Sequence, residues 1–107
     1  MGLIVHERAL EMIRELGPLL ASIQKRDSDL ARQLRRSAAS VALNIAEGSG
    51  SRGGTRRARY LTASGTARET LSALQVAEAF HYLKRKEIER SAGLIDEILA
   101  MLWGLTH

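Results

Sequence analysis

What most constrains this chain is the spacing of its apolar residues, which recur every three or four positions from near one end to the other. That spacing lines up side chains along one side of an α-helix, whereas a strand facing a core needs a period of two. The punctuation agrees. The sequence holds one proline, no Asn-Gly or Asp-Gly hairpin turn, and few β-branched residues among abundant Ala, Leu, Arg and Glu.

Four helical segments follow. The first spans about Val5 to Ile23, where Ala9, Ile13, Leu16, Leu20 and Ile23 alternate by four and three as in a bundle seam. Gly17-Pro18 interrupts it; proline removes a backbone donor and crowds the preceding turn, so a kink or a split into two shorter helices is expected. The second segment starts with Asp27 or Ser28 as cap and carries Leu30, Leu34, Ala38, Val41 and Ile45 to a stop at Gly48. After a glycine-rich loop over residues 50–54, Thr55 caps a third segment through Leu61, Ala67, Leu71, Leu74, Ala77 and Phe80 to about Leu83, roughly 43 Å long at about 1.5 Å per residue. The fourth begins near Arg85-Lys86-Glu87 and carries Ile88, Ala92, Ile95, Leu99 and Leu102.

With 107 residues, 45% of them hydrophobic, the chain has material for one core and one domain, residues 1–107. Four helices with one apolar stripe each and short connections bury those stripes most economically as an all-α, up-down-up-down antiparallel four-helix bundle. No cysteine is present, which excludes disulfide scaffolds, thiolate metal sites and cysteine nucleophiles and is compatible with a cytoplasmic setting. No apolar run approaches the ~18 residues of a membrane span, so no membrane partner is expected.

Charge is unevenly spread. Between Lys25 and Arg68 ten basic residues face three acidic ones, a local net of +7 in a chain whose total is +4. Thirteen of the sixteen cations are arginine, whose planar fork matches phosphate oxygens in pairs, so a polyanion partner, RNA or DNA, is inferred, the alternative being a solvated helix face. The candidate contacts are Arg32, Arg35 and Arg36 in the second segment and Arg52, Arg56, Arg57 and Arg59 around the glycine-rich loop and the start of the third, expected to gather on one outer surface. A helix start preceded by glycines and studded with arginine favours phosphate through dipole and charge together. The stretch SGSRGG lacks the lysine and spacing of a nucleotide-binding loop. Tyr60 is the one aromatic residue near the basic run, while Phe80, Tyr82 and Trp103 read as core or interface, so contacts should go to phosphates rather than to stacked bases.

Ser40, Asn44 and Glu47 fall at spacings of four and three, a polar stripe on a helix otherwise made of Ala, Val, Leu and Ile. A hydroxyl, an amide and a carboxylate supply neither an activated nucleophile nor a metal set, so no catalytic residue is assigned and no enzymatic activity is expected. The structural reading is a hydrogen-bonded network of Ser40, Asn44, Glu47, Thr66 and Glu69 that fixes the register of the second and third helices, with Gly65 permitting close approach. His6, His81 and His107 have no metal-ligand spacing, and no cofactor is implied.

The residues Gln33-Leu34-Arg35-Arg36, Ser40-Val41, Asn44-Ile45-Ala46-Glu47-Gly48, Tyr60-Leu61, Ala63, Gly65, Glu69 and Tyr82-Leu83 form a pattern spread over nearly the whole chain. It resembles that of the four-helix-bundle family of proteins encoded in intervening sequences of 23S ribosomal RNA genes, which is related to the accessory variability determinants of diversity-generating retroelements. The resemblance implies a homo-oligomer, a ring-shaped pentamer without enzymatic activity, and in the retroelement branch a partner of nucleic acid and of a reverse transcriptase. This chain departs from the pattern at Ala42, where the family usually has proline, at Thr66, where it usually has serine, and at Leu3 to His6, which lack the usual aromatic residue. The reading that follows is a non-enzymatic, oligomeric nucleic-acid-binding accessory protein that assists a retroelement reverse transcriptase. The alternative is a protein-interaction scaffold of the intervening-sequence type with no direct nucleic-acid role.

Overall fold

A computed structural model describes residues 2–107, and Met1, which the expected domain includes, lies outside the described residues. Four helices follow one another: α1 (Gly2–Gln24), α2 (Ser28–Ser49), α3 (Gly53–Ala79) and α4 (Arg85–Thr106), with no strand among the described residues. Each helix packs on its neighbours in chain order and α4 closes on α1, giving the antiparallel up-down-up-down bundle. Ion pairs from Arg8 to Glu97 and from Glu15 to Arg90 tie α1 to α4 in opposite directions.

Pro18 neither splits α1 nor ends it. The clash that bars an α conformation before proline is partly with the preceding β-carbon, and Gly17 has none. Gly17 and Pro18 are both exposed, so solvent can reach the carbonyl that the proline leaves without a donor. Asp27 is the N-cap of α2, its carboxylate accepting from the Leu30 N–H at 3.0 Å.

Two boundaries differ from expectation. Gly48 does not stop α2, which continues to Ser49 with Gly50 as its C-cap. Nor does Thr55 cap α3, which begins at Gly53 with Arg52 in the capping position and no side-chain cap. Gly53, at φ 57°, makes the left-handed step there that a β-carbon would penalise. At its far end α3 stops at Ala79, short of Leu83, because His81 turns into the left-handed region at φ 64°.

The core is a layer of Leu, Ile, Val and Met from α1, α2 and α4 meeting a face of α3 that is almost all small: Ala63, Ser64, Ala67, Thr70, Ala73 and Ala77, with Tyr60 and Leu74 the large exceptions. Each fully buried Leu or Ile contributes on the order of 2 kcal/mol. Small residues on α3 let its neighbours approach closely. None of the four helices is long and apolar enough to cross a membrane.

Candidate nucleic-acid interface

Antiparallel packing brings the end of α2, the start of α3 and the end of α4 together at one end of the bundle. The link between α2 and α3 is short, and Arg56 reaches back across it. Its Nε donates to the carbonyls of Gly48 at 3.2 Å and Ser51 at 2.9 Å, and its Nη2 to that of Ser49 at 3.3 Å. Arg57 Nε donates to the Thr106 carbonyl at 3.1 Å, in the last turn of α4. The final carbonyls of a helix lack intrahelical donors and carry partial negative charge, so these two arginines cap α2 and α4. Arg52 is exposed, with extended backbone. The first turn of α3 holds no acidic residue, which leaves its amides and their partial positive charge without a carboxylate. Arg59 is different: its Nη1 pairs with Glu47 Oε2 at 3.1 Å.

The α2 arginines sit elsewhere. Arg32 and Ser49, next to the link, stand roughly 25 Å apart along the helix at about 1.5 Å per residue. Arg32 forms an ion pair with Asp29. Arg35 points to the α1 side, lining a small apolar hollow of about 90 Å³ with Ile13, Leu16, Leu20, Ala38 and Ala39. Arg36 is one residue and about 100° further round the helix, on the α3 side. The seven arginines therefore do not share one surface. They form an end cluster of Arg52, Arg56 and Arg57 with Arg59 beside it, and a separate α2 group divided between two faces.

The polar stripe is also distributed differently. Asn44 Nδ2 donates to the Ser40 carbonyl at 2.9 Å and to Ser40 Oγ at 3.0 Å, within α2. Thr66 Oγ1 turns back onto the carbonyls of Thr62 and Ala63 in its own helix. Of the five residues expected in one network, Glu47 alone reaches across to α3, through Arg59. Glu69, Thr66 and Ser40 line a groove of about 330 Å³ with Gln33, Arg36 and Ser37. The buried polar link between α2 and α3 is one turn away: Thr70 Oγ1 donates to Ser37 Oγ at 2.9 Å, and Ser37 Oγ donates to the Leu34 carbonyl. Gly65 is exposed, and a β-carbon built on it meets nothing from a neighbouring helix within 4 Å, so the close approach belongs to Gly48 instead.

The aromatic residues change roles. Tyr60 is 2% exposed, its hydroxyl 3.3 Å from Ser49 Oγ, and cannot stack on a base. Phe80 is 61% exposed and lines an open groove of about 750 Å³ with Asp27, Asp29, Leu30, Arg32, Gln33, Arg36 and Val76. Sequence separation hid this neighbour. The antiparallel register that pairs Gly48 with Tyr60 and Ser37 with Thr70, counted onward, sets Phe80 opposite the start of α2. Tyr82 stacks on Phe80 at 5.4 Å between centroids and 19° between planes, and donates its hydroxyl to Asp27 Oδ2 at 3.1 Å. Desolvation first, then the hydrogen bond to Asp27 and its charge, raise the Tyr82 phenol above its ordinary value, with Arg26 pulling the other way. Trp103 is 62% exposed and stacks on His107. Among the described residues no three His, Asp or Glu side chains converge as a metal set would.

These features define an all-α four-helix bundle with an arginine-bearing end and an open, mixed-charge groove. The family model for 23S rRNA-intervening sequence proteins matches residues 1–104, and the chain belongs to that family. The bundle superposes with a TM-score of 0.85 on the crystal structure of a protein of unknown function from the S23 ribosomal protein family of Bacteroides thetaiotaomicron VPI-5482, at 22% identity over 95% of this chain and 97% of that one. At that identity the likeness is one of fold. No curated protein matches the chain.

Proposed function

We propose that the protein acts without catalysis, as a self-associating helical bundle that contacts the phosphates of RNA or DNA with the arginines at the junction of α2 and α3. The observation that carries this reading is the cluster of Arg52, Arg56 and Arg57: three exposed guanidinium groups with no carboxylate partner among the described residues, beside a helix start without a cap or an acidic residue. Capping fixes Arg56 and Arg57 through hydrogen bonds to neutral carbonyls and leaves their charge intact. Binding of this kind is salt-dependent and weakly sequence-selective.

In a self-associated form a second protomer would cover large apolar side chains that the single bundle leaves on its surface, such as Leu3 at 76%, Leu43 at 63% and Trp103 at 62% exposure. A ring of five would repeat the arginine end and multiply weak contacts into avidity. The number five, and an accessory role beside a reverse transcriptase in a cytoplasmic retroelement, draw their support from the resemblance carried by Asn44 to Gly48. The same exposed apolar residues favour the second reading, a protein-interaction scaffold.

Fluorescence anisotropy of labelled RNA and DNA, with light scattering for the assembly state, tests the first reading. Three phosphate contacts predict that affinity falls about 40-fold between about 50 and 200 mM salt when one protomer engages the nucleic acid, and more steeply when several do. Affinity unchanged by salt, or no binding at low salt, favours the scaffold.

A further inference from the structure

We propose that the open groove between the start of α2 and the end of α3 holds an unpaired base of a single-stranded nucleic acid, stacked on Phe80, with its phosphate on Arg36 beside Arg32. The inference rests on the nucleic-acid reading above and adds a second contact, at the other end of the bundle, that discriminates by strand state.

The groove, about 750 Å³ and open to solvent along its length, has room for a nucleotide laid against its wall without enclosing it. An exposed phenylalanine alone signifies little. This one is held: Tyr82 stacks against it, and Asp27 holds Tyr82 by its hydroxyl. A platform ordered before the ligand arrives loses little entropy on binding. Of the carboxylates in the groove, Asp29 is offset by its ion pair, while Asp27 has only uncharged partners and keeps its charge roughly 13 Å along α2 from Arg36, at about 1.5 Å per residue. Asp27 accepts from the Leu30 N–H through Oδ1 and from Tyr82 through Oδ2, and Asp29 pairs with Arg32. Arg36 has no carboxylate partner among the described residues, and the Gln33 amide adds donors and an acceptor for a base edge. A flat apolar ring, a free guanidinium fork and an amide suit a base with its phosphate. In a duplex both faces of each base are covered by their neighbours, so the platform selects single strands.

The test is fluorescence anisotropy at low salt with a labelled single-stranded oligonucleotide and a labelled blunt-ended duplex without a loop, on wild type, Phe80→Ala and Phe80→Trp. Loss of one base–aromatic stack predicts that Phe80→Ala weakens single-strand binding by about 5- to 100-fold, leaves duplex binding unchanged, and is remedied by Phe80→Trp. Single-strand affinity equal in wild type and Phe80→Ala, with both probes still bound, overturns this site and leaves the arginine end standing. Failure of wild type to bind either probe overturns both. Phe80 is exposed, so the variants should fold like wild type, with Phe80→Ala melting slightly earlier for loss of the Tyr82 stack, which circular dichroism verifies.

Discussion

Tyr60 lies so close to Gly48 that a β-carbon there would stand 2.6 Å from the ring's Cε1 and 2.7 Å from its Cδ1. The glycine of the Asn44 to Gly48 segment is thus explained by contact between helices: α2 is still helical at that point, and the Tyr60 ring occupies the space a side chain would take. Ala at position 48 gains about 1 kcal/mol of helix propensity but overpacks a buried ring that is also bonded to Ser49, at a cost of about 1–3 kcal/mol. Gly48→Ala should therefore destabilise the bundle in urea unfolding. In a Tyr60→Ala background the same substitution should be neutral or stabilising, and a constant penalty in both backgrounds would refute the contact.

Ser37 and Thr70 are the buried hydroxyl pair that sets α2 against α3. Each also bonds a carbonyl of its own helix, Leu34 for Ser37 and Thr66 for Thr70, so neither is orphaned when the other is removed. Ser37→Ala and Thr70→Val should each cost about 0.5–1.5 kcal/mol. The double variant should cost less than the two together, with a coupling of about 1 kcal/mol, and strict additivity would show that the cross-helix bond contributes nothing.

His81 occupies the left-handed position that ends α3. Its N–H bonds the Glu78 carbonyl and the Tyr82 N–H bonds the Ala77 carbonyl, both at 2.9 Å, the Schellman arrangement in which glycine is usual. A side chain there costs about 1–2 kcal/mol, partly offset by the greater freedom of unfolded glycine. His81→Gly should raise stability by about 0.5–1 kcal/mol in a thermal melt, and a loss would mean that the imidazole has a partner of its own.

The helices were legible because their apolar spacing is regular, and the start of α2 was legible as Asp27 or Ser28, two adjacent side chains that can each accept from a helix-start amide, between which folding selects Asp27. Boundaries at Gly48 and Thr55 were misplaced for one reason: a glycine can end a helix or let a ring approach it, and a threonine can cap a helix or sit inside one, and the partner decides. The site needed the register between α2 and α3, which residues 70 and 37 define only after folding. Without it Phe80 looked remote from Arg36, Tyr60 looked available, and Arg56 and Arg57 were indistinguishable from free cations.

Tyr82 gives the bundle an alkaline sensitivity. Its phenol is raised above 10.0 by desolvation, then by the Asp27 hydrogen bond and charge, so the folded state favours the neutral form. The resulting stabilisation is fully present below the unfolded value and is lost as pH rises through the raised one. In urea melts from about pH 8 to about pH 11, wild type should lose stability more steeply than Tyr82→Phe, which has no proton to lose. Parallel curves would remove Tyr82 from the account.

Arg52 and Arg59 stand seven residues apart, yet one has no carboxylate partner among the described residues and the other faces Glu47 at 3.1 Å. The slope of log affinity against log salt, measured on one RNA for wild type, Arg52→Ala and Arg59→Ala, reads that difference directly. If the arginine end meets phosphate, Arg52→Ala should lower the slope by about 1 for each protomer that engages the RNA, while Arg59→Ala leaves it nearly unchanged. Equal slopes in all three proteins would contradict the account.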